Sequence, residues 1–290
     1  MVPCSKYSPV EWLIIDGAYL VWRSYCSTPK FLSPTGEPTG ALHGFIASTR
    51  KAIKETGAKH CIVAWEGGSP QREELLPSYK SKRRELPDEL SQSFKLVQEV
   101  IPLLGWPIIQ KAGLEADDVI FSLSKSLPGT KVVFTTDKDI ISLVSDDLLI
   151  YTREKGKSWL LGETHYKEKW GVEPRYIPDI LALSGDAIDE VPGIAGIGKK
   201  TATTLVQNFG SIEDILKEAA SPTSKIKEKT RNLLLQNTKL LDLNRALIAL
   251  RQTELTQLSP STFEPNPAVI ARLTSLGMKK TAEQIAKQFQ

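Results

Sequence analysis

The sequence predicts an α/β fold, a largely parallel sheet flanked by helices, followed by a helical second region. Three observations predict it: short apolar runs end in an acidic residue, helical patterns lie between those runs, and strand patterns cease after about Tyr176. Strands that alternate with helices imply right-handed crossover units and parallel pairing. Acids that follow such strands lie at the carboxyl edge of the sheet, where α/β proteins place their functional crevice.

Three strands share one pattern, an apolar run that ends in an acid. Residues 12–16 (WLIID) are followed by a glycine, which is typical of a buried strand that meets a turn. The runs 60–66 (HCIVAWE) and 131–137 (KVVFTTD) repeat the pattern. Apolar residues at helical spacing predict a helix over about 41–55.

The remaining elements are a short strand and several helices. Residues 107–111 (PIIQK) predict the strand, and 116–127 a helix with Asp117 and Asp118 in its first turn, where the helix dipole favours anions. The later sequence reads as helical and ends with one helical stretch over 231–250.

Residues 69–93 form a highly charged insertion broken by three prolines. They predict a loop or mobile helices that leave the compact sheet, although many charge runs are only solvated surface. Within it, 79–84 (YKSKRR) places an aromatic ring among four cations. Such a segment can stack a base on Tyr79 and neutralise phosphates with Lys80 and Arg83.

Acidic residues at short spacing are the strongest chemical signal. They are Asp16, Glu66, Glu115 with Asp117 and Asp118, Asp137 with Asp139, and Asp186 with Asp189. Two like charges about 4 Å apart repel by roughly 4 kcal/mol at an effective dielectric near 20, so a converging cluster needs cations. Oxygen ligands favour Mg²⁺ or Mn²⁺ over Zn²⁺. Two such ions clamp a phosphodiester, which indicates phosphodiester hydrolysis, although a phosphatase would share the ions.

A glycine-rich turn precedes a helix at 191–202 (VPGIAGIGKKTA). Its candidate DNA contacts are Gly193, Gly196, Gly198, Lys199, Lys200 and Thr201. Backbone N–H groups at a helix start bind phosphate oxygens, and the lysines add attraction that does not depend on base sequence. A tight interhelical turn is the simpler alternative, but the form GIxGIGKKTA is that of a helix-hairpin-helix. A Walker A loop is excluded because Lys199 is followed by a second lysine.

Composition excludes several protein classes. The chain has 290 residues, 41% hydrophobic and 24% charged, with a net charge of +3, too mild to indicate nucleic-acid binding by itself. Three cysteines at unrelated spacings indicate neither a disulfide framework nor a zinc site. The three histidines lie away from the acids and are interpreted as structural. Without a signal sequence or a long apolar run, we expect a soluble intracellular protein.

The motifs together resemble the 5′-nuclease, or flap endonuclease, superfamily, which includes the N-terminal domain of bacterial DNA polymerase I and its stand-alone bacterial and phage relatives. The matching segments run in family order over about 12–215. They are IDGAYLVWRSY, TGALHGF, LLPSYKSKRRELPDEL, GLEADDVI, VVFTTDKDIISLV and LSGDAIDEVPGIAGIGKKTA. The resemblance implies a PIN-like catalytic domain over 1–175 with a helical arch at about 69–93. It also implies a helical DNA-binding region over 176–290, with a helix-hairpin-helix at about 185–215.

The resemblance also implies roles for single residues. Asp16, Glu66, Glu115 and Asp117 match the ligands of a first metal ion, and Asp118, Asp137, Asp139, Asp186 and Asp189 the second-site and bridging acids. Lys80 and Arg83 match the arch cations that face the scissile phosphate, so that they and Asp117 are the candidate catalytic residues. Two Mg²⁺ ions, replaceable by Mn²⁺, and a K⁺ ion at the helix-hairpin-helix are the implied cofactors.

The implied activity is a 5′→3′ exonuclease and flap endonuclease in replication and repair, for example in primer removal. Its expected partner is DNA with 5′ flaps, nicks, branches or 5′ ends, with RNA primers as a further substrate. We expect a cytoplasmic monomer that acts on nucleoid DNA without a membrane. No polymerase motif occurs, so both a stand-alone nuclease and the nuclease part of a longer protein fit the sequence.

Two positions depart from the family pattern. Glu66 stands where the family usually has aspartate, and GDAIDEVPG replaces the usual GDxSDNIPG, with Ile188 and Glu190 substituted. Both ligand acids of that segment, Asp186 and Asp189, are present. A non-catalytic DNA-junction binding module of the same fold is the main alternative, and loss of ligand acids would favour it. The lysines and the hairpin motif oppose a small-molecule phosphatase.

Overall fold

The computed structural model describes residues 10–81, 85–154, 156–255 and 263–287. Its described residues form one six-stranded sheet. The strands are β1 (Trp12–Asp16), β2 (His60–Trp65), β3 (Ile108–Gln110), β4 (Lys131–Phe134), β5 (Leu148–Glu154) and β6 (Lys157–Leu161). Their order is β3-β2-β1-β4-β5-β6, and every pair is parallel except β5 with β6. The predicted α/β fold with a largely parallel sheet is confirmed.

Fourteen α-helices are present in the described part of the chain. They are α1 (Gly17–Ser27), α2 (Gly40–Thr56), α3 (Pro70–Leu75), α4 (Asp88–Val100), α5 (Ala116–Ser126), α6 (Lys138–Ile141), α7 (Glu163–Trp170), α8 (Ile177–Ser184), α9 (Lys199–Phe209), α10 (Ile212–Ala220), α11 (Glu228–Gln236), α12 (Thr238–Ile248), α13 (Ala268–Ser275) and α14 (Lys279–Ala286). None of them is both long and apolar enough to span a membrane.

The central strand β1 is buried on both faces. Leu13 and Ile15 pack into a core with α1, α2 and α4, whereas Ile14 packs into a second core with α5 and α6. This alternation follows from the two-residue period of a strand. Two covered faces are expected of a parallel sheet, because its crossover helices lie on both sides.

The helical region after the sheet contributes to two cores. Helices α8 to α12 enclose a third core that includes Ile180 and Leu205. By contrast, Val269 and Leu273 of α13 and Ile285 of α14 pack into the core beneath α1, α2 and α4. The chain therefore leaves the α/β unit after β6 and returns to it before its last helices.

Three elements differ from the sequence-based predictions. The antiparallel β5–β6 pair was not predicted, because β6 is only partly buried and lacks an apolar run. The helical stretch 231–250 is divided at Asn237, whose backbone leaves the helical region with φ −115° and ψ 25°. The insertion contains the short helix α3 and the first part of α4, and its residues 82–84, which include Arg83, lie outside the described residues.

Candidate active site

Asp16 ends β1 and begins α1 at the carboxyl edge of the sheet. Its Oδ1 accepts a hydrogen bond from the Tyr19 backbone N–H at 3.0 Å, and its Oδ2 accepts one from the Thr135 hydroxyl at 2.9 Å. Burial raises the pKa of Asp16 to about 6, and the nearby carboxylates of Asp137 and Glu66 add to the shift. The side chain therefore lies in a negatively charged, poorly hydrated edge of the sheet.

Asp117, Asp137 and Asp139 meet beside it and are called here the first acid group. One carboxylate oxygen from each lies within 4.8 Å of the others. Asp137 caps α6 by accepting the Asp139 N–H at 3.0 Å, which fixes these two acids relative to each other. Burial raises the pKa of Asp117 well above its usual range, and then Asp137, Asp16 and Asp139 raise it further. Burial, followed by repulsion from Asp137, raises the pKa of Asp139 to about 7.

Asp139, Asp186 and Asp189 form the second acid group, with ligand oxygens within the same 4.8 Å of one another. Asp186 and Asp189 lie in a tight turn. The backbone N–H groups of Asp186 and Val191 donate to each other's carbonyl oxygens at 2.8 and 2.9 Å. Gly185 has a φ of 80°, and a Cβ there would lie 2.7 Å from the Val191 oxygen, so the turn requires glycine.

Two lysine ammonium groups lie among these carboxylates. Lys80 Nζ is 2.6 Å from Glu115 Oε2 and 3.9 Å from Asp189 Oδ1. Lys138 Nζ is 2.6 Å from Asp186 Oδ2. Burial alone would lower the pKa of each lysine, but the facing carboxylates raise both above the usual range. Both side chains therefore stay charged and offset part of the negative charge.

Asp118 was predicted to be a second-site or bridging ligand, but both of its oxygens are engaged elsewhere. They accept hydrogen bonds from Arg72 Nη1 and Nη2 at 2.9 Å each, and the Asp118 side chain is fully buried. Glu115, which precedes α5, contacts the same guanidinium at 3.2 Å. Glu66 Oε2 lies 3.5 Å from the Ala116 backbone N–H, beside the start of α5. Asp118 therefore serves as the counter-ion of Arg72.

The two acid groups suit hard divalent cations. They offer only carboxylate oxygens, and neither group includes a histidine or cysteine among the described residues. Mg²⁺ and Mn²⁺ prefer such ligands, whereas Zn²⁺ favours nitrogen and sulfur. The pKa values of Asp117 and Asp139 are raised by burial first and by the neighbouring carboxylates second, and bound cations would offset both effects. Asp16, Glu66 and Glu115 line the same edge without belonging to either group.

The predicted DNA contacts divide into exposed and buried residues. Gly196, Gly198, Lys199 and Lys200 are exposed at or before the start of α9, with Thr201 half-buried behind them. Gly193 is buried, with φ 66°, and a Cβ there would lie 2.3 Å from the Gly185 nitrogen. Gly193 thus permits close backbone packing.

Tyr79 differs from the exposed stacking ring that the sequence suggested. The side chain is buried, in a small core with Val191 and Leu247. Its hydroxyl donates to Glu115 Oε2 at 3.4 Å. Tyr79 therefore packs the insertion against the acids, and stacking a base would require it to leave this core.

Sequence reasoning missed Arg72, Lys138 and Trp170. Lys138 stands between two candidate ligands in the segment DKD, so its position in the sequence could have revealed it. Trp170 lies under Lys199, whose Nζ is 3.9 Å from the ring centroid, a cation–π contact. Neither Arg72 nor Trp170 has a local sequence signal, because their partners come from distant segments.

Comparisons with known proteins match both parts of the chain. Family models described as 5′-3′ exonuclease, N-terminal resolvase-like domain and 5′-3′ exonuclease, C-terminal SAM fold match residues 11–171 and 172–269. A 5′-3′ exonuclease of Aquifex aeolicus is 36% identical, covering 70% of this chain and 71% of that protein. A thermostable DNA polymerase I of Thermus aquaticus is 35% identical over 75% of this chain, which spans 26% of the polymerase.

Solved structures share the fold at low sequence identity. The T5 5′-exonuclease with bound zinc ions aligns with a TM-score of 0.68 at 22% identity, covering 95% of this chain and 99% of that one. The catalytic core of Rad2 in complex with DNA substrate aligns with a TM-score of 0.63 at 15% identity, covering 98% and 93%. Both alignments extend over the sheet and the helical region together.

Proposed function

The chain belongs to the 5′-3′ exonuclease family, and on that premise we propose that it hydrolyses DNA phosphodiester bonds as a structure-specific 5′ nuclease. The proposed activity includes 5′→3′ exonuclease and flap endonuclease cleavage. One observation carries the proposal: two groups of carboxylates share Asp139 at the carboxyl edge of the sheet. Two cation positions joined by a common ligand suit the in-line displacement of a phosphodiester.

Two Mg²⁺ ions, with Mn²⁺ as a substitute, are the proposed cofactors. Asp117, Asp137 and Asp139 would hold one ion, and Asp139, Asp186 and Asp189 the other. Such ions supply a nucleophilic water and stabilise charge on the phosphate oxygens. The carboxylates would fix the positions of the two ions at the sheet edge, and Lys80 adds a positive charge beside Glu115. Arg83 is proposed as a second such cation.

The proposed substrate is DNA with a 5′ flap, nick, branch or free 5′ end, including ends that carry RNA primers. Support comes from the exposed Lys199 and Lys200 in the first turn of α9, where the first backbone N–H groups of a helix have no intrahelical partners. Such contacts attract phosphates without reading bases, so cleavage would follow DNA shape. A K⁺ ion at this turn and a monomeric enzyme complete the proposal.

A cleavage assay tests the proposal and its main alternative. End-labelled flap, nicked duplex and single-stranded DNA are incubated with the protein in Mg²⁺ and in EDTA. The nuclease reading predicts Mg²⁺-dependent products from the flap and the nick. Binding of the flap without any product in Mg²⁺ or Mn²⁺ would instead support a non-catalytic junction-binding module. The complete acid groups count against that alternative.

A further inference from the structure

Lys138 contacts every member of the second acid group. Its Nζ lies 2.6 Å from Asp186 Oδ2, and 3.9 Å from both Asp139 Oδ2 and Asp189 Oδ2. These three carboxylates are the ones whose oxygens lie within 4.8 Å of one another. The ammonium group therefore lies where a cation bound to this group would be held.

We propose that Lys138 is a tethered counter-ion of the second acid group, which it must release before a divalent cation binds there. The inference rests on the proposed function only in assuming that this group holds a cation. Lys138 would hold Asp186 and Asp189 near Asp139 when the cation is absent. It would also lower the cation affinity of this group below that of the first.

The position of Lys138 in the fold supports this exchange. Its backbone begins α6, immediately after Asp137, whereas Asp186 and Asp189 belong to the turn that follows α8. The ammonium group therefore joins the start of α6 to the turn that follows α8. Its side chain is 23% exposed, and a four-carbon stem has the freedom to turn outward.

Lys80 does not have the same role. It lies 2.6 Å from Glu115 and reaches the second acid group only at Asp189, at 3.9 Å. Lys138 contacts all three acids of the group and lies closest to Asp186. Removal of Lys138 therefore changes the charge of the second group, whereas removal of Lys80 mainly changes the surroundings of Glu115.

Two roles for Lys138 predict opposite effects of its removal. A counter-ion competes with the incoming cation, so Lys138→Met should tighten cation binding. A structural tether only holds the acids in place, so its removal should weaken binding. We expect tightening by about tenfold or more, since a unit charge some 4 Å from the cation repels it even after solvent screening.

Calorimetric titration with Ca²⁺ and with Mn²⁺ tests the proposal without measuring cleavage. The intact protein, Lys138→Met and Lys138→Gln are compared, with Asp186→Asn identifying the second site and Lys125→Met as a control lysine on α5. Tightening of the second site alone in both Lys138 variants supports the proposal. Unchanged or weaker binding at that site overturns it.

Thermal unfolding provides a second readout, and together with the titration it separates the proposed role of Lys138 from the proposed nuclease function. In EDTA, Lys138→Met should have a lower melting temperature than the intact protein. Added Ca²⁺ should raise its melting temperature by more, because a ligand that binds the folded state more tightly stabilises it more. A smaller gain than that of the intact protein would overturn the proposal. If the intact protein binds no divalent cation at all, the proposed nuclease function fails; if it binds two and Lys138→Met binds no tighter, only the role of Lys138 fails.

Discussion

Arg72 and Asp118 form a buried ion pair in which both terminal guanidinium nitrogens donate to the carboxylate, each at 2.9 Å. Arg72 also donates to the carbonyl oxygens of Leu247 and Ala249, again at 2.9 Å each. The Arg251 backbone N–H donates to Asp118 Oδ1 at 2.9 Å. The pair therefore joins the start of the insertion, the first turn of α5 and the segment that follows α12.

The first prediction is that Arg72→Ala lowers the free energy of unfolding by about 3–5 kcal/mol, because it leaves a buried carboxylate without its partner. Urea denaturation measures the change. Arg72→Lys should recover only part of the loss, since an ammonium cannot reproduce the two-pronged contact. The double variant Arg72→Met with Asp118→Leu is the control and should be more stable than Arg72→Ala. A loss below about 1 kcal/mol in Arg72→Ala would show that the charge is not buried.

The second prediction separates catalysis from DNA binding. Asp117→Asn or Asp137→Asn should abolish Mg²⁺-dependent cleavage, because each removes one ligand charge from the first acid group. Affinity for a flap substrate, measured in Ca²⁺, should stay within about tenfold because phosphate contacts lie on other elements. Asp146→Asn, at an exposed acid in the turn before β5, is the control. Full cleavage by either variant would contradict the assignment of the first group.

The strand ends and their acids could be predicted because each depends on a few adjacent residues. An apolar run followed by an acid placed Asp16 and Asp137 at the carboxyl edge of the sheet, as the structure has them. The role of Asp118 could not be predicted in this way. Its partner Arg72 is 46 residues distant, and the carbonyl of Leu247 that Arg72 also binds is 175 residues from Arg72.

Charge and aromatic content did not predict how the insertion packs against the rest of the protein. Tyr79 and Lys80 occur in a polar, cation-rich stretch, which favoured an exposed segment. In the structure Tyr79 packs on Val191, and Lys80 binds Glu115. These contacts join the insertion to the turn after α8 and to the start of α5, and no local sequence pattern reports such distant contacts.

The third prediction concerns pH. The pKa of Asp16 is raised to about 6 and that of Asp139 to about 7, chiefly by burial. A carboxyl with a raised folded-state pKa stabilises the fold at low pH, and this contribution is lost as pH rises through the folded-state value. In EDTA the melting temperature should therefore fall between about pH 4 and pH 7.

Added Mg²⁺ should reverse the loss at neutral pH, because the cation favours the deprotonated carboxylates. Differential scanning calorimetry across the pH range measures both effects. Asp139→Asn is the matched variant and should show a shallower fall in EDTA. A melting temperature in EDTA that rises steadily from pH 4 to pH 7 would contradict the raised pKa values of Asp16 and Asp139.

The fourth prediction concerns the start of α9. Changing Lys199 and Lys200 to Ala should weaken duplex binding equally for all DNA sequences. The plot of the logarithm of the binding constant against the logarithm of the salt concentration should also become less steep, by about 0.9 for each of up to two lost phosphate contacts. Fluorescence anisotropy over a salt series measures the slope. Lys54→Ala, an exposed lysine near the end of α2, is the control. The same slope in the double variant and the intact protein would show that this turn does not touch DNA.

The fifth prediction is that Lys80→Ala lowers the single-turnover cleavage rate by about 10²-fold or more, near 3 kcal/mol of barrier, with flap affinity changed by less than about tenfold. Lys80 lies 2.6 Å from Glu115 beside the acid groups, so its charge is placed to act on the phosphate at the transition state. Arg83→Ala should behave similarly, and Lys82→Ala, which matches neither arch cation of the family, should do much less. Single-turnover kinetics with excess enzyme, paired with a binding titration in Ca²⁺, measures both quantities. A normal rate with poor binding would make the insertion an electrostatic guide, and cations held by the acid groups would then have to stabilise the phosphate without Lys80.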